Sequence, residues 1–329
     1  MRDYSATGTG VRLPRVAVRA AVRVLVRPAL GPRVPNAVRR HWLDACSVLT
    51  LMPRGTELRR VRLGGVPGVR VAHRGAGSNG SNGADTARAV LYLHGGGYTT
   101  GSPWTHRALA GHLSRAAGAP VFLLDYRLAP EYPYPAALMD ALAAYRALQR
   151  AGYPPERIVL AGDSAGGGLA VATAMALRDA GEALPVALAL LSPWLDLTLG
   201  SESITGNASR DAMLNGAWLV VAAQEYRAGR EATTPGISPL YAELTGLPPI
   251  DVQAAGDELL VSDADRFVAR ARAAGVSVNY RRYAGLWHDF PLQAGLLREA
   301  DAAVADLGLA LARRWQNRRE PRLPRGGSR

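Results

Sequence analysis

The 329-residue chain contains no lysine: all 39 of its basic side chains are arginine, set against 27 acids for a formal net charge of +12. Such one-sided usage points to compositional bias rather than to a binding design. Residues 1–70 carry +11 and residues 313–329 carry +6, so the stretch between them is −5. A nucleic-acid surface needs basic charge along a groove or face of the folded body, and here only the ends are basic, so no nucleic-acid partner is expected. Cys46 is the sole cysteine, which excludes an intrachain disulfide and leaves no argument for an oxidising compartment. No run of 18 apolar residues occurs, and the apolar stretch 16–30 is broken by Arg19, Arg23 and Arg27, spoiling both a membrane span and a signal-peptide core. A soluble, cytoplasmic protein is the expectation.

With 48% hydrophobic residues, the chain can bury one large core. Arg15, Arg19, Arg23 and Arg27 recur every four residues among valines and alanines, which puts them on one face of a helix. Pro28, Pro32 and Pro35 interrupt it, and a second helix is expected over 36–51. Strands over 58–63 and 69–73 form an antiparallel entry, followed by a glycine- and serine-rich stretch, 75–85, that reads as a solvated hairpin loop. From residue 88 onward strands and helices alternate: strands over 89–93, 121–124, 158–161, 186–191, 251–255 and 277–283, with helices over 105–117, 135–151, 165–178, 262–274 and 291–315. That order predicts an α/β fold with a parallel sheet joined by crossover helices. The expected organisation is an N-terminal helical cap segment over 1–55, a catalytic domain over 56–316 interrupted by a cap insertion at about 196–235, and a basic, disordered tail over 317–329.

The most informative segment is Gly162-Asp163-Ser164-Ala165-Gly166, the one G-x-S-x-G match in the chain, lying between the apolar run 158–161 and a small-residue helix. A serine hydroxyl is a poor nucleophile at neutral pH and must be held on a tight turn, near a base and near N–H groups that can bind an oxyanion. Glycines on both sides of Ser164 permit that turn. In the chain order of such sites the acid and then the histidine follow the serine. Of six histidines only His288 does so, in a loop just after a strand. Thirteen acids lie between Ser164 and His288. Asp257 is the positional choice, because it follows the strand 250–255 through Gly256 and so sits in a loop at a strand's C-terminal end, where open α/β sheets carry their ligands. Glu258 is the best fallback, ahead of Asp263 and Asp265. Asp163 reads as structural. His94-Gly95-Gly96-Gly97, directly after the strand 89–93, supplies the oxyanion loop, with the N–H groups of Gly96, Gly97 and Ala165 as donors. His94 and Gly95 brace that loop without transferring protons.

These motifs together resemble the bacterial members of the hormone-sensitive lipase family of α/β-hydrolase esterases: His-Gly-Gly-Gly at 94–97, Gly-Asp-Ser-Ala-Gly-Gly at 162–167, Asp-Tyr-Arg-Leu-Ala-Pro-Glu at 125–131, and the strand-end acid Asp257 with His288. The resemblance runs from about residue 59 to 314. It implies an α/β-hydrolase fold with a mostly parallel eight-stranded sheet, helices on both faces and a helical cap. It also implies hydrolysis of short to medium acyl esters through an acyl-enzyme, and a bracing role for residues 125–131. No metal and no organic cofactor is needed for that chemistry. Asp289 departs from the small residues frequent after the histidine in this family and is expected to raise the basicity of His288.

Alternative readings use the same residues. An amide or arylacetamide deacylase, or an acyltransferase, could work through one triad, and a non-catalytic small-molecule receptor is a remote option because His288 is present. The arginine stripe opposite valines also suits contact with an anionic membrane surface, although a cap helix covering the acyl pocket is the preferred reading. A homodimer is compatible with the sequence.

Overall fold

The computed structural model describes residues 12–74, 76 and 88–316; apart from residue 76, the expected hairpin loop at 75–85 lies outside them, as does the basic tail. One eight-stranded sheet organises the chain, in the order β1 (Thr56–Leu63), β2 (Val66–His73), β4 (Val121–Leu124), β3 (Ala89–Leu93), β5 (Ile158–Asp163), β6 (Ala187–Leu191), β7 (Ile250–Ala255) and β8 (Val278–Tyr283). β1 pairs antiparallel with β2 and β2 with β4, where Val71 faces Val121; every later pairing is parallel. The expected antiparallel entry into a parallel sheet is what forms.

The reason is visible strand by strand. β3, β4, β5, β6 and β7 are buried at every position, as strands must be when helices cover both faces; β3, β4 and β6 are accordingly continuous apolar runs, while β5 ends on the buried Asp163 and β7 carries the buried Asp251 and Gln253. β1 and β8, at the two edges, carry polar side chains and stay partly exposed. Crossover helices connect the parallel strands: α3 (Pro103–Ala117), α4 (Ala136–Arg150), α5 (Ser164–Asp179) and α8 (Val261–Ala273), with α9 (Arg298–Gln316) packed on α3 and α4 on α5. α3 opens on a capping box in which the Ser102 hydroxyl accepts from the Thr105 N–H and the Thr105 hydroxyl accepts from the Ser102 N–H. Gly118, in the left-handed region, ends it. α5 lies unusually close to the sheet, since a Cβ on Gly166 would strike the Leu93 carbonyl of β3.

The last helix is shorter than the sequence suggests. In place of a helix from 291, a 3₁₀ turn spans Phe290–Gln293, the chain reverses at Gly295 (φ 91°), and α9 starts at Arg298. Asp301 Oδ1 accepts from the Gly295 N–H at 2.7 Å, which fixes the reversal from within the first turn of α9. At the N-terminus, α1 (Arg15–Ala21) runs into a π-helical turn, Val22–Val26, and α2 (Asn36–Cys46) follows; the insertion contributes the short α6 (Glu202–Gly206) and α7 (Gly216–Arg227). Among the described residues no helix is long and apolar enough to cross a membrane.

Candidate active site

Ser164 is the first residue of α5, immediately after β5, and its φ of 50° lies in the left-handed region that a serine rarely adopts. The turn is held by close packing, because the flanking Gly162 and Gly166 are where backbone meets backbone and no side chain fits. Asp163, the residue before Ser164, is buried and triply engaged. Its Oδ1 accepts from the Tyr92 hydroxyl at 2.8 Å, while its Oδ2 takes the Gly95 N–H at 3.1 Å and His106 Nε2 at 3.0 Å. Asp163 thus ties the elbow to the glycine loop at 95–97 and to α3, the structural role expected of it. Burial opposes its charge, yet the His106 ring and the hydrogen bonds hold its carboxyl below the ordinary range. For His106 burial likewise opposes the charge, and the Asp163 carboxylate outweighs it and raises the ring. Sequence reasoning left His106 unassigned, although its place in the first turn of the helix after the glycine loop is the signal that could have found it.

The glycine loop at 95–97 is built from residues that cannot carry side chains. A Cβ on Gly95 would enter the Asp163 carboxylate, one on Gly96 (φ 119°) the Thr100 carbonyl, and one on Gly97 (φ 60°) the Trp218 ring. His94 stacks on Tyr126 with centroids 4.3 Å apart, and its own carbonyl accepts from the Tyr126 hydroxyl at 2.6 Å. Burial, reinforced by His106, pushes the His94 ring down to about 3. A neutral, stacked imidazole fits the bracing role expected of His94.

The carboxylate partner of His288 is where sequence and structure part. Glu258 Oε2 lies 2.9 Å from His288 Nδ1, with both side chains buried. Glu258 Oε1 in turn accepts from the Ala255 N–H at 3.1 Å. Asp257, the positional choice, does not meet His288. Its carboxylate is taken by Arg19 of α1, at 3.1 Å, and by Arg210 of the insertion. The turn explains the swap: the Gly256 N–H donates to Tyr283 O and the Asp257 N–H to Leu286 O. These bonds lay the backbone along the strand that leads to His288, pointing residue 257 outward to the cap and residue 258 inward beneath the ring. Asn207 steadies the same turn, donating to the carbonyls of Gly256 (3.3 Å) and Glu258 (2.9 Å). Of the other fallbacks, Asp263 braces the β6 end through the Leu195 and Asp196 N–H groups, and Asp265 pairs with Tyr280 and Arg282.

A cavity of about 130 Å³ opens at this point, bordered by Gly96, Ser164 and His288. Its apolar wall comes from the N-terminal segment (Val26, Leu30, Leu43) and from the insertion (Met213, Leu214, Trp218). Both segments therefore reach the cavity, the first of them through Val26, Leu30 and Leu43 and not through the exposed valines of the first helix. Val18 and Val22 are buried, whereas Val16 and Val24 are 78% and 68% exposed and do not approach the cavity. The arginine stripe faces the protein. Arg15 pairs with Glu299 at 2.6 Å, Arg19 with Asp257, Arg23 donates to Ser209 O at 2.8 Å, and Arg27 donates to the carbonyls of Ala208 (3.0 Å) and Asp211. The N-terminal helix is thereby buttoned to the insertion at 208–211, which is itself tied to the acid turn by Asp211 accepting from the Leu259 N–H at 3.0 Å.

The chain is similar to known proteins over most of its length. A family model described as alpha/beta hydrolase fold matches residues 90–292. A putative acetyl-hydrolase, LipR, of Mycobacterium tuberculosis is 41% identical over 302 residues, covering 92% of this chain and 95% of its own. An acetyl-hydrolase of Streptomyces hygroscopicus is 45% identical over 68% of this chain and 75% of its own. Among solved structures, an esterase from the bacterial hormone-sensitive lipase family superposes with a TM-score of 0.85 at 39% identity, covering 92% of this chain and all of the other.

Proposed function

The chain belongs to the hormone-sensitive lipase family of α/β hydrolases and is a serine ester hydrolase acting on a small-molecule ester; from that premise we propose that Ser164, His288 and Glu258 carry the reaction. Ser164 attacks the ester carbonyl while His288 Nε2 takes its proton, and Glu258 orients the ring through Nδ1 and stabilises the imidazolium that forms. The N–H groups of Gly96, Gly97 and Ala165 bind the oxyanion of the tetrahedral intermediate. His288 then returns its proton to the leaving alcohol, and a water molecule activated by the same ring releases the acid from the acyl-enzyme.

The observation that carries this reading is the buried Glu258–His288 contact on the wall of a cavity that Ser164 also borders. The modest, apolar cavity favours short to medium acyl chains, in keeping with relatives described as acetyl-hydrolases. Residues 12–55 and the insertion act as a cap over the acyl site. Anchoring of the first helix to an anionic membrane loses its main support, because the arginines that would meet the lipid are engaged by the body of the protein. Hydrolysis of chromogenic esters of rising acyl length tests the reading. Activity should fall steeply once the chain outgrows the cavity and be absent at every length in Ser164→Ala; a Ser164→Ala protein that still turns over short esters would refute it.

A further inference from the structure

His288 is gripped at both nitrogens. Nδ1 meets Glu258, as a general base requires, but Nε2 lies 3.0 Å from Asp289 Oδ2. Nε2 is the nitrogen that must accept the Ser164 proton, so the Asp289 carboxyl sits in the seat the nucleophile needs. The arrangement is built into the backbone. Asp289 has φ 51°, a left-handed conformation unusual for a non-glycine residue, which folds its side chain back over the neighbouring ring. Its N–H is directed at the Ser192 hydroxyl, 3.4 Å away. Its other oxygen, Oδ1, is buried and has no hydrogen-bond partner among the described residues, and the residue borders the cavity. An orphaned carboxylate oxygen in such a place is costly unless the group has a second arrangement in which it is satisfied.

We propose that Asp289 is a positioning residue that competes with Ser164 for His288 Nε2, holding the base doubly protonated in the free enzyme and releasing it when that proton leaves. The inference rests on His288 being the general base. Proton bookkeeping is simple. In the held state one ring proton faces Glu258 and the other faces Asp289. Loss of the second to solvent leaves a lone pair on Nε2; a neutral ring can no longer donate to the Asp289 carboxylate, which turns toward the cavity, and the lone pair accepts from the Ser164 hydroxyl.

The surrounding charges act in the same direction. Burial opposes charge on the ring, but the Asp289 and Glu258 carboxyls outweigh it and raise His288 well above its ordinary value. Burial likewise pushes Asp289 up to about 7, against the pull of His288 and with Asp163 and Glu258 adding to the rise. The other titratable groups facing this pair are His106 of α3 and Tyr92 of β3, which feel Asp289, and Asp211 of the insertion, which feels His288. His106 and Asp163 are paired with each other at 3.0 Å, Glu258 lies on Nδ1, and Asp289 is the carboxyl in contact with Nε2.

The pH dependence of kcat/KM, read on a short ester, tests this. The acid limb of the wild type should lie on the alkaline side of an ordinary histidine, and Asp289→Asn should move it to lower pH by about one unit, raising kcat/KM roughly tenfold on the acid side. An acid limb that stays in place or moves up overturns the proposal. The limb's midpoint is independent of how many molecules fold correctly, and active sites are counted with a phosphonate. The ring is also read directly by its ¹⁵N resonances in the Ser164→Ala protein: doubly protonated near neutral pH if Asp289 holds it, and neutral there if it does not. Loss of activity in His288→Ala separates the two ideas. If that variant stays active, the assignment of the base fails; if it is dead while Asp289→Asn leaves the limb unmoved, only the role of Asp289 fails.

Discussion

Glu258 reaches His288 Nδ1 at 2.9 Å while Asp257, one residue earlier, turns away to Arg19 and Arg210. Two neighbouring acids thus have different partners, one a buried histidine and one a pair of arginines from the first helix and the insertion, and under the proposed mechanism they should separate cleanly on mutation. Glu258→Gln should lower kcat by roughly three to four orders of magnitude, as loss of an orienting carboxylate does. Asp257→Asn should keep kcat within about tenfold, since it touches no reacting group, and cost ~1 kcal/mol of stability through its partly exposed arginine partners. Steady-state kinetics and denaturant melts of the two variants decide it; the reverse ranking would restore Asp257 as the acid.

The glycine loop proposed to bind the oxyanion makes a steric prediction. At Gly96 an added Cβ must displace the Thr100 carbonyl and also adopt φ 119°. Gly96→Ala should therefore cost about a hundredfold in kcat, the scale of losing one oxyanion donor, with a smaller effect on KM. A variant with wild-type kcat would show that the Gly96 N–H does not face the oxyanion.

The buried His106–Asp163 pair predicts a pH signature in stability. The His106 value is raised in the fold, so its contribution is fully present below the unfolded value of about 6.5 and disappears as pH rises through the raised value. Asp163 shifts the other way. Its contribution is present above the unfolded value of about 3.9 and is lost as pH falls through the lowered one. His106→Leu leaves Asp163 without its cationic partner and should destabilise by about 3 kcal/mol near pH 6. The deficit should narrow in alkaline solution, where the wild-type ring is also neutral. Unfolding curves across pH read this directly, and a deficit constant with pH would mean that the pair is not ionic.

The arginine stripe predicts how the cap is held. Arg23→Met with Arg27→Met removes the donors to Ser209, Ala208 and Asp211 and should raise KM for esters that fill the apolar wall, with little change in the rate of labelling by a small phosphonate. If these variants instead hydrolyse soluble esters normally and lose salt-sensitive binding to anionic vesicles, the helix is an interfacial element rather than a cap.

Much of this architecture was legible from local pattern. β3, β4 and β6 announce themselves as unbroken apolar runs because each is covered on both faces, and the glycines at 95–96, 162 and 166 mark places where the chain packs too closely for a side chain. What escaped depends on contacts between distant residues. Whether residue 257 or 258 faces the histidine is set by hydrogen bonds from the turn to Tyr283 and Leu286, almost thirty residues downstream. The helical period identifies an arginine face but not what it meets, and here it meets the insertion about 190 residues away rather than solvent. The late start of α9 follows from Gly295 and its tie to Asp301, where the sequence alone offers Pro291 as an equally good first turn.

Labelling with a serine-directed fluorophosphonate, followed by peptide mapping, tests the central claim most directly. A single adduct on Ser164, formed in step with loss of ester hydrolysis and absent from Ser164→Ala, is the predicted result. An adduct on another residue, or more than a few per cent of kcat surviving in Ser164→Ala, would contradict the account.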